Sequence, residues 1–208
     1  MLNQTTCVGV ILAGGQSRRM GGGDKCLLPI NGKSILQRTI ERAKIQVSTL
    51  LFNCNGDKAR FDFIGLPLVK DIFDGWRGPL AGIHASLSWM ATYQPDAEWL
   101  VSFAADTPFF PENLAKELLQ REQGNNYEVI VATHKNEIQP LFALWNISLL
   151  SKLEQHLHNN GNPKMQAWIK SQQHMCVEFE NTYQDPFFNI NTPTDFSIAE
   201  SMSQPKYP

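Results

Sequence analysis

The stretch CVGVILAGGQSRRMGGGDK, Cys7 to Lys25, decides how this chain is read. Cys7 to Leu12 is a continuous apolar run, the composition of a strand covered on both faces of a sheet. No basic residue precedes it, and Gly14, Gly15, Arg18 and Arg19 follow it, so it does not read as the core of an export signal. Five glycines between Gly14 and Gly23 let the backbone turn successive N–H groups toward one point, an anion cradle. With Arg18, Arg19 and Lys25 alongside, a polyphosphate is the natural guest, because backbone donors meet its oxygens and the cations offset its charge. The same composition also suits a solvated turn, and composition alone leaves the two even.

Outward from that loop the chain alternates strands and helices. Ser34 and Gln37 have capping-box spacing ahead of Ile35, Leu36, Ile40 and Ala43 at helical period. Thr49 to Asn53 and Leu66 to Val69 read as strands. Pro79 opens a helix carrying Leu80, Ile83, Leu87 and Met90 along one face. Trp99 to Ala105 is a second fully apolar strand, ending at Asp106, and a helix runs from Pro111 through Leu114, Leu118 and Leu119. Val129 to Ala132 and Leu141 to Trp145 read as strands, and Ile147 to His158 as a helix. Phe187 to Asn191 is expected as a last strand, before a helix capped by Thr192 and Asp195 with Pro193 between. This alternation predicts an α/β fold with a mostly parallel sheet and helices on both faces. Such sheets bind ligands beyond the carboxyl ends of their strands, so the loops after Leu12, Asn53, Val69 and Ala105 are where chemistry is expected.

Composition narrows the classes. A chain of 208 residues, 42% hydrophobic and 18% charged, is an ordinary globular one and buries roughly 70% of its unfolded surface without staples. One domain over residues 1–200 with a polar tail over 201–208 is expected. The 18 Lys plus Arg against 20 Asp plus Glu leave a net charge of -2, with no footprint for nucleic acid or an anionic membrane. No apolar stretch approaches the ~18 residues of a membrane span. Cys7, Cys26, Cys54 and Cys176 form no C-x-x-C pair and read as reduced thiols in a cytoplasm.

Two familiar phosphate signatures fail. Leu27 stands where a Walker loop ending in Gly32-Lys33-Ser34 needs its first glycine, and Cys26 stands where G-x-G-x-x-G needs its last. Asp106 adjoins a strand so apolar that its carboxylate needs donors or a cation. Asp106-Thr107-Pro108 alone reads as a turn, but beside a phosphate loop the carboxylate suits Mg2+, which is held by one or two carboxylates and substrate phosphates. Asn189 and Asn191, two apart on the expected strand, would face the same side and could read a polar heterocycle or finish a sheet edge. Asp71 opens a loop leading to the Gly78 helix start, where Gly82 leaves a patch without a side chain. His84, His134, His156, His158 and His174 lack ligand spacing and are assigned core or surface roles. Neither covalent catalysis nor zinc hydrolysis has its motif.

These residues resemble a known family, the molybdenum cofactor guanylyltransferases called MobA, over nearly the whole chain from about Cys7 to about Glu200. The segment Leu12 to Lys25 carries the resemblance most sharply: related sugar nucleotidyltransferases more often read L-A-A-G-x-G-T-R there, whereas Gly14, Met20-Gly21 and Asp24-Lys25 point to the guanylyl branch. Gly78-Pro79-Leu80-Ala81-Gly82, Asp106-Thr107-Pro108 and Asn189-Ile190-Asn191-Thr192-Pro193 look like the family's later motifs, in order.

The resemblance implies a Rossmann-like nucleotidyltransferase fold and transfer of GMP from GTP to molybdopterin, with or without molybdenum. Leu12, Ala13 and Gly14 would meet the nucleotide through the backbone, Lys25 its phosphates, Asn53 and Asp71 its guanine and ribose, and Asp106 the Mg2+. Arg19, Gly22, Gly78, Gly82, Asn189 and Asn191 match positions associated with the pterin, and Arg19 joins Lys25 and Asp106 in the expected catalytic set. Sugar nucleotidyltransferases often place a second metal-binding Asp near Asn189 or Asn191, so asparagine leaves the second ligand open. A cytoplasmic setting and transient contact with cofactor-assembly proteins and molybdoenzymes are implied, although no surface motif marks them. The nearest rival uses CTP on molybdopterin or a nucleoside triphosphate on a sugar phosphate, and a rival from another class is a nucleotide-binding carrier without catalysis.

Overall fold

A computed structural model describes residues 7–13, 25–56, 58–75, 77–122, 126–159, 164–180 and 184–203. In chain order they form β1 (Val8–Leu12), a small hairpin of β2 (Pro29–Ile30) and β3 (Lys33–Ser34), α1 (Ile35–Lys44), β4 (Thr49–Asn53) and β5 (Leu68–Val69). There follow α2 (Pro79–Tyr93), β6 (Trp99–Ala104), α3 (Leu114–Gln120), β7 (Val129–His134), β8 (Glu137–Asn146), α4 (Leu149–Asn159), α5 (Met165–Lys170), β9 (His174–Glu178) and α6 (Pro193–Met202). The strands other than the hairpin make one sheet in the order β5-β4-β1-β6-β8-β7-β9. Four pairings are parallel, and β8 runs antiparallel to both its neighbours.

The apolar run of β1 explains its central place. Val8, Val10 and Leu12 face one way, against Leu80, Ile83 and Leu87 of α2, and α4 and α5 complete that layer. Cys7 and Ile11 face the other way, into a core shared with Leu36 of α1 and Leu114 and Leu118 of α3. Helices therefore cover both faces, and each of these fully buried aliphatic side chains contributes about 1.5–3 kcal/mol of burial. Both expected capping boxes close: Ser34 accepts from the Gln37 N–H and Thr192 from the Asp195 N–H, each with the reciprocal bond. The buried hydroxyl of Ser102 accepts from Trp145 Nε1 at 2.9 Å, which satisfies the one polar side chain inside β6.

Several expectations need correction. Residues 187–191 are not a strand. Phe187 and Ile190 are buried three apart while Asn189 is exposed, a turn's spacing, and Asp185 accepts the Phe187 N–H at 2.8 Å to start that turn. The parallel edge position belongs instead to β9, which pairs with β7 from Val129↔His174 to Thr133↔Glu178. Alpha helix α3 begins at Leu114, with Pro111 supplying a carbonyl to the Leu114 N–H just ahead of it. The last helix runs through Met202, past the expected boundary at residue 200.

Candidate active site

Parallel register brings the ends of three strands level: Leu12 lies opposite Asn53 on one side and Ala104 on the other. Asn53 in turn lies opposite Val69. The hydrogen bonds continue one step past the strands, with Ala13 N–H on the Asn53 carbonyl at 2.9 Å and Ala105 N–H on the Leu12 carbonyl at 3.2 Å. The four loops singled out by the chain's alternation therefore leave one rim together. Since the Ala13 N–H is spent on the sheet, a ligand cannot draw on it.

On one side of β1 the rim carries a polar net. The buried Asn53 amide donates to the Val69 carbonyl at 3.2 Å and to Asp71 Oδ1 at 2.9 Å. Asn55 Nδ2 donates to Asp71 Oδ2 at 2.7 Å, and its Oδ1 accepts the Asp71 N–H at 3.1 Å. Asp71 is thus held at three points, with acceptor lone pairs left for a donor such as a ribose hydroxyl or a guanine N–H. The start of α2 lies against this net: Gly82 backs onto Asn53 and Leu12. Gly78, the N-cap, takes φ 72°, a conformation in which a side chain is strained. Its helix has no side-chain cap and no acidic residue in its first turn, which leaves a partial positive charge facing the rim.

On the other side stands a charged centre. Lys25 opens a 3₁₀ turn over Lys25–Leu27. Its Nζ lies 2.6 Å from Asp106 Oδ2 and also donates to Asn191 Oδ1. The two side chains of the ion pair are 17% and 20% exposed, so the pair is partly sheltered yet reachable. Asn191 is positioned by two bonds from different elements. The neighbouring Ile190 N–H donates to the Asp106 carbonyl at 3.0 Å, and the Asn191 N–H donates to Asp195 Oδ2 at 2.9 Å. Asp195 also accepts from the Thr192 N–H, and its carboxyl is held below the usual range chiefly by the Asn191 N–H, helped by Thr192 and by the charge of Lys25.

A carboxylate oxygen and an amide oxygen thus converge on a single positive charge, here the Lys25 ammonium. That is the hard oxygen donor set a small divalent cation takes, so Asp106 and Asn191 fit such an ion. Among the described residues no group of three or more His, Cys, Asp or Glu gathers for a metal. A small divalent cation held by one or two protein oxygens takes substrate phosphates and water as its other ligands.

Of the expected site residues, Gly14, Arg19 and Gly22 lie outside the described residues. Leu12, Ala13, Asn53, Asp71, Gly78 and Gly82 gather on the β4 and β5 side, and Lys25, Asp106 and Asn191 on the β6 side. Asn189 is exposed on the same turn as Asn191 but is not its strand partner, because the turn replaces the expected strand. Asn55 and Asp195 join the expected residues at the rim. Asn55 has a signal, its spacing of two from Asn53, and Asp195 hid behind its helix-capping role. His84 and His134 are buried, as a core role implies, although His84 Nδ1 has no hydrogen-bond partner among the described residues.

Residues 9–176 match the family described as the MobA-like NTP transferase domain. The chain is 42% identical over 194 residues to a molybdenum cofactor guanylyltransferase of Rhodopseudomonas palustris (strain BisB5), covering 93% of this chain and 92% of that one. It is 40% identical over 198 residues to the protein of that name from Yersinia pseudotuberculosis serotype O:1b, covering 95% and 96%. Among solved structures, the molybdopterin-guanine dinucleotide biosynthesis protein A of Archaeoglobus fulgidus superposes with a TM-score of 0.76 at 24% identity, over 94% of this chain and 97% of that one. A 4-diphosphocytidyl-2C-methyl-D-erythritol synthase from Anaerococcus prevotii shares the fold at a TM-score of 0.71 and 13% identity, over 96% of each chain.

Proposed function

The chain belongs to the MobA-like NTP transferase family, and from that premise we propose that it transfers GMP from GTP to the terminal phosphate of molybdopterin, releasing pyrophosphate. The observation that carries this reading is the convergence of Lys25, Asp106 and Asn191 on the sheet rim, in a chain 42% identical to a named guanylyltransferase over 93% of its residues.

The chemistry asks little of a general base. A phosphate monoester with a second pKa of about 6 is mostly dianionic at neutral pH and is already a nucleophile. It attacks the α-phosphorus of GTP, forming the new phosphoanhydride bond while the bond to pyrophosphate breaks. The protein's work is to align two anions and to offset the charge between them. Lys25 supplies a positive charge beside Asp106 and Asn191 for the phosphates. Asp71, with its three-point support, receives the hydroxyl or N–H donors of the nucleoside. The helix start at Gly78 offers its dipole to an anionic group. A divalent cation, which we take to be Mg2+, would be held by Asp106 with Asn191 and, when bound, lowers the negative charge of the triphosphate. Arg19, Gly22 and Asn189 are proposed to serve the pterin-bearing acceptor, and the reaction is proposed to run in the cytoplasm.

The test is pyrophosphate release with each nucleoside triphosphate and each acceptor in turn. GTP with molybdopterin is expected to be the productive pair. Faster release with CTP, or with a sugar phosphate as acceptor, would replace this reading, and tight GTP binding without release would make the protein a carrier.

A further inference from the structure

We propose that Gly82 is a positioning residue for the nucleotide side of the site, acting through Asn53, and not a contact for the acceptor. The inference rests on the guanylyl-transfer reading. Gly82 stands in the first turn of α2, where an ordinary helical residue fits the backbone, so conformational freedom does not explain a glycine there. Space does. A Cβ on Gly82 would lie 2.3 Å from Asn53 Oδ1, 2.8 Å from Asn53 Cγ and 2.9 Å from Leu12 Cδ2, all inside the 3.0 Å that real Cβ contacts keep.

Neither partner can give way cheaply. Asn53 is 2% exposed, and its Nδ2 is pinned between the Val69 carbonyl and Asp71 Oδ1, so a retreat of the amide breaks the bond that orients Asp71. The helix cannot back off either. Leu80, Ala81 and Ile83 on the same turn are fully buried, and the Gly82 carbonyl accepts from Ser86 Oγ at 2.7 Å. A methyl group at position 82 is therefore transmitted to Asp71, which receives the nucleoside donors, whereas Lys25, Asp106 and Asn191 stand across β1 from it. The residues grouped by resemblance with the pterin divide accordingly: Gly82 serves the nucleotide, Asn191 the charged centre.

A double-mutant cycle on the full chain tests this, using Gly82→Ala, Asn53→Ala and the pair, with GTP affinity by calorimetry, both substrate KM values, and the thermal midpoint of each variant. Gly82→Ala is expected to raise the GTP KM by about tenfold, the scale of one lost hydrogen bond to a charged group, and the molybdopterin KM by less than about threefold. Where Asn53→Ala has already removed the amide, the added methyl fills vacated space, and Gly82→Ala is expected to change GTP affinity by less than about twofold. If Gly82→Ala alone does not fold, recovery of folding in the pair together with GTP affinity equal to that of Asn53→Ala still supports the coupling. A raised acceptor KM with unchanged GTP KM overturns the role of Gly82 while leaving guanylyl transfer intact, as do losses that simply multiply. Wild-type protein that transfers no GMP overturns both.

Discussion

Replacing Asp106 by Asn separates the two things its carboxylate does. In the fold it faces the Lys25 ammonium at 2.6 Å, with side chains 17% and 20% exposed. Fully exposed ion pairs contribute about 0–1 kcal/mol, and breaking a fully buried one costs about 3–5 kcal/mol. This partly sheltered pair falls between, and Asn191 still accepts from Lys25 after the change, so a stability loss of about 1–2 kcal/mol is expected. A domain with about 5–15 kcal/mol of stability stays more than about 99% folded after that loss. In the proposed reaction the same carboxylate holds a cation at the triphosphate, and its loss is expected to lower turnover about a thousandfold, or about 4 kcal/mol at 1.36 kcal/mol per decade. Urea denaturation and GTP-dependent pyrophosphate release on the same preparation give both numbers. Turnover within tenfold of wild type, or a stability loss large enough to account for the missing activity, would rule out a cation-holding role for Asp106.

Three further outcomes follow from titration and burial. The Asp195 carboxyl, held below its ordinary 3.8 first by the Asn191 N–H, stabilises the start of α6 above that pH, and the support disappears as pH falls through the lowered value; the protection of the Asn191 and Thr192 amides against hydrogen exchange, relative to the intrinsic rate at each pH, should fall in acid in wild type and show no such step in Asp195→Asn. Burial pushes the His84 imidazole below 6.5, outweighing the attraction of Glu154, so the unfolded chain binds a proton that the fold refuses. Stability should therefore decline as pH drops below 6.5, and His84→Gln should flatten that part of the urea-midpoint profile; an unchanged slope would exclude His84 as its source. Burial raises the Cys7 thiol to about 12; desolvation also raises the Cys176 thiol, but Cys176 is exposed on the edge strand β9. A thiol reagent at pH 8 should react first with Cys176, and Cys176→Ser should remove the fast phase, leaving Cys7 to react only on unfolding.

What the chain declared in advance were features with local causes. The apolar runs of β1 and β6 announced strands buried on both faces, and Ser34 with Gln37 and Thr192 with Asp195 announced helix starts that close as expected. The strands' carboxyl ends were legible as the candidate site because parallel pairing levels them. What stayed hidden depends on partners far along the chain. His174 to Glu178 became an edge strand through pairing with β7, although its own alternation is weak. Phe187 to Asn191 carried strand-forming residues but became a turn, because Phe187 and Ile190 both reach the core and Asp185 bends the chain. The meeting of Lys25 with Asn191, 166 residues apart, left no local trace. Nor did the crowding that requires Gly82, which appears only when α2 is laid against Asn53.

We propose that this rim moves a guanylyl group onto a phosphate. GTP labelled with phosphorus-32 at the α position, incubated with the protein, Mg2+ and molybdopterin, tests it most directly, with products separated by charge. The label is expected in a guanine dinucleotide of the pterin, formed in equal amount with pyrophosphate and absent when molybdopterin is left out. Label that stays in GTP, appears as free GMP, or passes more readily from CTP would contradict the account.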